Sequence, residues 1–260
     1  MRLCLLSLLL TCWSPAFGST LWAVDTSGSV SHLWQIDTAT GAATQVVTLA
    51  TTTGAGDITV LNGTIYGGSG SSGFSTIDPV TGVFTSINGA DPIQGLAADP
   101  SIPLFYEDGN VGFELNRILP DGSRTIIGGG GANDFITDLA YDPVHGVLYG
   151  WSNVVLLETI DPATGTATPA PSKSFAVSRL NGAIGYDGAN NTLYFLNDGD
   201  ENLYSLNTTT GAPTLIGPTG LTGVTFTGLS DLSVPEPSSA SLIAIGLGAF
   251  ALARQQRRQR

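Results

Sequence analysis

After Cys12 the chain contains no cysteine, so no disulfide and no thiolate metal site can hold the rest of it together. Histidine is almost as scarce, at two residues, and neither His32 nor His145 sits at metal-ligand or triad-like spacing. Basic residues are few as well. Outside the two ends, four Lys or Arg face twenty Asp or Glu, a net charge of −16. Such a surface repels phosphate backbones, which argues against nucleic acid as a partner and favours solubility. Helical periodicity is missing before residue 238, so nothing in the body of the chain reads as an amphipathic helix.

What is present is a repeat. Leu157-Glu158-Thr159-Ile160-Asp161-Pro162-Ala163-Thr164-Gly165 has near-copies at residues 33–41 and 74–82, and more divergent ones at 115–122 and 203–211. The aligned residues Ile36, Ile77, Ile118, Ile160 and Leu206 are 41, 41, 42 and 46 positions apart. That period fits four short strands per unit. In each unit a Gly-Leu-Ala-Tyr-Asp type strand (a) precedes a Leu-Tyr strand (b). The Leu-x-x-Ile-Asp strand (c) follows, and then a Gly-x-x-Thr-x-Ile strand (d). Asn62-Gly63 is a two-residue hairpin signal, and the Pro/Thr/Gly triplets supply the next turn.

The first unit lacks strand a, beginning at Leu21-Trp22-Ala23-Val24, and a surplus strand a stands at Thr227 to Leu232. The missing and surplus strands match, which predicts an all-β, five-bladed β-propeller over residues 19–233, closed by pairing of its N- and C-terminal strands. The repeat resembles the Leu-Tyr…Ile-Asp-Pro-x-Thr-Gly propellers of secreted bacterial proteins of unknown function. Leu119 and Asn207 replace the repeat Asp in two copies, so that Asp is expected to form turns rather than bind a ligand.

The ends differ from the middle. Residues 1–18 carry one Arg, an apolar run from Leu3 to Trp13, and Ala16 and Gly18 at the −3 and −1 positions of a cut, the layout of a secretory signal peptide. A lipoprotein reading through Cys12 fits less well, since Thr11 stands where Gly or Ala is needed. At the other end Val234-Pro235-Glu236-Pro237 precedes an apolar run, Ser239 to Ala253, and a basic end from Arg254 to Arg260. Fifteen helical residues span about 23 Å, less than the ~30 Å hydrocarbon core, so the run predicts a short C-terminal transmembrane helix. The arginines behind it favour the cytoplasmic side.

Together, residues 234–260 resemble the PEP-CTERM sorting signal. The resemblance implies Pro235, Glu236 and Pro237 as recognition elements for a membrane exosortase and removal of the tail after transient membrane insertion. It also implies delivery to the surface or extracellular matrix of a Gram-negative bacterium that makes exopolysaccharide. The alternative is a permanent membrane anchor on a Pro-rich stalk.

Candidate sites in the body are sparse. The acidic stretches Glu107-Asp108-Gly109-Asn110 and Asn197-Asp198-Gly199-Asp200-Glu201-Asn202 read as solvated hairpin tips. Asp198, Asp200 and Glu201 are retained as speculative ligand contacts, although they lack EF-hand spacing. Trp151, placed in a hairpin of the fourth unit, is a candidate for stacking on a sugar ring, whereas Trp22 and Trp34 are expected in the core. The run Ile126 to Gly131 precedes a strand and not a helix, so it is a linker and not a phosphate loop. No catalytic constellation, cofactor site or metal site emerges. The function expected is therefore a non-enzymatic exported propeller of binding or structural role, with extracellular polysaccharide as a partner. The alternative is a polysaccharide-active enzyme with paired carboxylates in a central funnel.

Overall fold

A computed structural model describes residues 19–231, except 27–29, 51–54, 70–72, 89–92, 103, 110–113, 130–135, 153–155 and 172–181. The leader, the tail with Pro235-Glu236-Pro237, and the apolar run therefore lie outside the described residues. Within those described there are strands and turns but no helix, and none long and apolar enough to cross a membrane.

The strands form five four-stranded antiparallel sheets. Strands β1 (Thr20–Asp25), β2 (His32–Asp37) and β3 (Ala43–Thr48) belong to the first. The second holds β4 (Ala55–Leu61), β5 (Thr64–Ser69), β6 (Gly73–Ile77) and β7 (Phe84–Asn88). The third holds β8 (Ile93–Asp99), β9 (Leu104–Gly109), β10 (Glu114–Ile118) and β11 (Arg124–Gly129). The fourth holds β12 (Ile136–Asp142), β13 (Val147–Ser152), β14 (Leu156–Ile160) and β15 (Ala167–Pro169). The fifth holds β16 (Gly182–Asp187), β17 (Thr192–Asn197), β18 (Asn202–Leu206) and β19 (Pro213–Pro218). The last strand, β20 (Phe226–Asp231), returns to the first sheet beside β1, with Leu21 opposite Asp231 and Ala23 opposite Leu229.

The strands β20, β4, β8, β12 and β16 pack side by side in that order, and β16 meets β20 again. The innermost strands thus make a closed ring, and the architecture is a propeller. Burial follows this geometry. Inner strands are apolar almost throughout, as in β16, whereas outer strands alternate exposed and half-buried residues, as in β3 and β19. Leu21, Ile36, Ala183, Leu196, Leu203 and Leu229 form one of the inter-blade clusters, and it is this cluster that joins the chain's two ends to the fifth sheet. Trp22 and Trp34 are buried as expected.

The repeat Asp makes a turn. Asp37 Oδ1 accepts from the N–H groups of Ala39 and Thr40, Asp78 Oδ1 from Val80 and Thr81, and Asp161 Oδ1 from Ala163. Asn207 does the same for Thr209 and Thr210, and where Leu119 interrupts the pattern, Asp121 accepts from Ser123 instead. The turn glycine is required by its neighbour. Gly82 has φ 71°, and a Cβ there would collide with the Thr48 carbonyl of the preceding sheet. Each such turn thereby seats on the outer strand of the blade before it.

Two expectations fail. Trp151 is not in a loop: it pairs with Asp138 and Leu157 inside β13, is 0% exposed, and stacks on Phe195 with ring centroids 4.0 Å apart. Its ring packs the fourth blade on the fifth, so it cannot meet a sugar. Glu107 and Asp108 are likewise ladder residues, opposite Asn116 and Leu115, and not a hairpin tip.

Candidate functional site

The inner strands are edges on their axial side, so their N–H and C=O groups face the centre unpaired by any sheet partner. Their first turnward position is filled by Asp57, Gly95, Asp138, Ala183 and Gly228, equivalent by register across the five blades. Asp57 Oδ1 accepts from Ile58 N at 2.6 Å, and its Oδ2 accepts from Leu96 N of the next blade. Asp138 repeats this with Leu139 N at 2.6 Å and Ile184 N at 2.7 Å. Each carboxylate ties two blades together.

The two come from non-adjacent blades, yet each carboxyl group acts on the other's titration, so they stand near each other at the axis. Both are fully buried. Burial, with the charge of Asp138 beside it, pushes Asp57 well above its ordinary value of 3.8, and burial does the same to Asp138. A third carboxyl group would not fit, because a Cβ at Gly228 would lie within contact distance of Asp57 Oδ1 and Ile58 N. Sequence reading did not single out this pair. Its signal was the acid opening strand a in two units and small residues opening the others.

Above the pair the axis opens into a funnel of about 710 Å³, floored by Leu96, Leu139 and Leu229. Thr59, Asn62, Ser230 and Asp231 supply polar groups on its wall, and Tyr141 and Tyr186 border it, Tyr186 buried with its ring stacked on Tyr149. Tyr186 is fixed by a hydrogen bond from its hydroxyl to Asn191, and burial first, then Asp142, raises its pKa strongly. Among the described residues no Lys or Arg lines the funnel.

The acidic hairpin of the fifth blade is separate from this cavity. It lies at the end of β17, away from the funnel, because β16 enters the funnel rim and β17 runs back from it. Asp200 is engaged by Asn197 Nδ2 at 2.9 Å, Asn202 N at 3.2 Å and the Tyr204 hydroxyl at 2.6 Å. Glu201, at φ 51°, accepts from Gly223 N at 2.8 Å, and Asp198 is half-buried. These contacts lock a loop, and among the described residues no three His, Cys, Asp or Glu converge to hold a metal. His145, in a surface turn, and His32 bond to Asp142 and Asp25 respectively.

Comparison with known proteins supplies two family matches. Residues 12–117, less than half the chain, match a repeat of unknown function (DUF6923), and residues 233–258 match the PEP-CTERM protein-sorting motif. No curated protein matches the chain. Among solved structures, a chain of a nidogen/laminin complex is similar with TM-score 0.54 and 12% identity, over 82% of this chain and 98% of that one. A protein of unknown function from Bacteroides thetaiotaomicron VPI-5482 is similar with TM-score 0.54 and 14% identity. That match covers 78% of this chain and 58% of the Bacteroides chain. At such identities these share the fold alone. The sorting motif is the specific finding: this chain carries a PEP-CTERM protein-sorting motif, which implies an exported protein of a Gram-negative bacterium recognised by an exosortase.

Proposed function

We propose that the protein is a non-enzymatic binding propeller, released to the cell surface or matrix, whose central funnel takes an uncharged, polyhydroxylated chain such as exopolysaccharide. The observation that carries this reading is the funnel wall. It offers hydroxyls, an amide and a carboxylate beside apolar side chains, and no Lys or Arg among the described residues lines it. A signal peptide ending at Gly18 and removal of the tail by the exosortase belong to the same reading.

The enzymatic alternative needs two carboxylates open to substrate. Asp57 and Asp138 are paired, but every carboxylate oxygen accepts a backbone N–H and neither residue has exposed surface. That arrangement supports a structural role for them. The test is affinity electrophoresis of residues 19–233 through gels containing neutral bacterial exopolysaccharide. Retardation that disappears in Ala189→Trp, which fills the funnel mouth, supports the reading. Unchanged mobility in every neutral and acidic polysaccharide tried, or hydrolysis of any of them, refutes it.

A further inference from the structure

Both ends of the propeller leave from the same place. Ser19 and Thr20, where the described chain begins, and Asp231, where β20 ends, all line the funnel. Ser19 is pinned there: its hydroxyl bonds to Asp187, and Asn190 Nδ2 donates to it at 2.9 Å. Strand direction puts the a–b turns and the c–d turns on this face, and the b–c connections on the other.

The funnel face also carries exposed aliphatic turn residues. Val80 is 83% exposed and Val144 62%, and Ile102 and Leu119 are exposed at equivalent turns. Interspersed with them are the turn aspartates, including Asp78, Asp121 and Asp161, which their hydrogen bonds keep ionised.

From Asp231 to Ser239, the first residue of the apolar run, there are eight residue steps, at most about 28 Å of extended chain. We propose that while the sorting tail is membrane-inserted it holds the funnel face against the bilayer, and that cutting the tail turns the funnel out to solvent. The bilayer is the partner this face fits in the precursor, with the aliphatic turn tips at the headgroup level. Without the tail the face does not stay there. A few scattered side chains are a weak anchor, and the aspartates are repelled by anionic lipid. Exosortase cleavage is then an uncovering step as well as a release step. The inference concerns the same funnel as the proposed ligand, but its test uses no ligand, so the two fail separately.

The chain after Cys12 is free of cysteine, which allows single-site labelling. Ala189→Cys places a thiol at the exposed funnel rim, and Gly199→Cys places one in the exposed turn on the opposite face. Residues 19–260 of each variant, carrying an inserted protease site before Pro235, are added to vesicles of phosphatidylethanolamine and phosphatidylglycerol. The bound fraction is collected by flotation and treated with a polyethylene-glycol maleimide. The expected result is labelling of Ala189→Cys several-fold slower than Gly199→Cys on vesicles. After protease treatment the two rates become equal and the protein no longer floats. Equal labelling rates while bound overturn the proposal. So does failure of the tailed protein to float, or persistent flotation after the cut.

Discussion

Replacing Asp138 tests whether the axial carboxylates hold the ring together. In Asp138→Ala the N–H groups of Leu139 and Ile184 lose their acceptor in a dry centre, at about 1–3 kcal/mol each, so the loss is about 2–6 kcal/mol. Asp138→Asn keeps one oxygen, orphans one N–H, and lets its amide donate to Asp57. Its cost is therefore about half, on the order of 1–3 kcal/mol. Against a domain stability of ~5–15 kcal/mol, the alanine variant is close to unfolding at ambient temperature and the asparagine variant is not.

The pH dependence separates this account from simple loss of packing. Both aspartates have folded pKa values raised above the ordinary 3.8. A group raised in this way contributes most below its unfolded pKa, where it is protonated in both states. That stability is lost as pH rises from about 4 through the folded value, because the unfolded chain releases the proton first. Asp78, Asp121 and Asp161 run the other way. Hydrogen bonds from their turn residues lower them, so their contribution exists above about 4 and is lost in more acid solution. The wild type should be most stable near pH 4. In Asp138→Asn, Asp57 no longer faces a second carboxyl group, and the decline above pH 4 should flatten. Urea unfolding followed by the fluorescence of Trp22, Trp34 and Trp151, all buried, reads this directly. An asparagine variant with the wild-type slope, or an alanine variant within about 1 kcal/mol of wild type, refutes the reasoning.

Two further outcomes follow from the packing. Deleting residues 226–233 removes β20, exposes the edge of β1, and takes Phe226 and Leu229 out of the core at about 1.5–3 kcal/mol each, so the truncated protein should aggregate or melt far below the intact domain; an unchanged melting temperature would disprove ring closure. Trp151→Ala removes the contact with Phe195 and should cost about 3–5 kcal/mol in the same urea assay, with no effect on polysaccharide retardation at temperatures where it remains folded.

The fold was legible because it repeats. Five copies of one hydrophobic pattern fix strand order, and one strand short at the start with one over at the end fixes the closure, as the pairing of Leu21 with Asp231 bears out. The turn role of the repeat Asp was legible from its two exceptions. The candidate site was not. A funnel on the axis is built from one strand of every blade, so its residues are some forty positions apart and share no local spacing. Asp57 and Asp138 look like ordinary strand beginnings until the ring brings them together. Trp151 misled for a related reason: a tryptophan near a predicted hairpin reads the same whether the strand extends two residues further or stops.

The axial pair also limits what the ring can carry beneath the funnel. Each carboxylate takes one N–H from its own blade and one from the next, and the blade before it carries a glycine at the same level: a Cβ at Gly228 would meet Asp57, and one at Gly95 would meet Asp138 and Leu139. Around a five-fold ring this pattern is laid down twice, and the remaining place holds the small Ala183. The two bridges each tie one blade to the next beneath the funnel. The funnel mouth is also where the described chain begins and ends, at Ser19 and Asp231, so both termini leave the ring beside it.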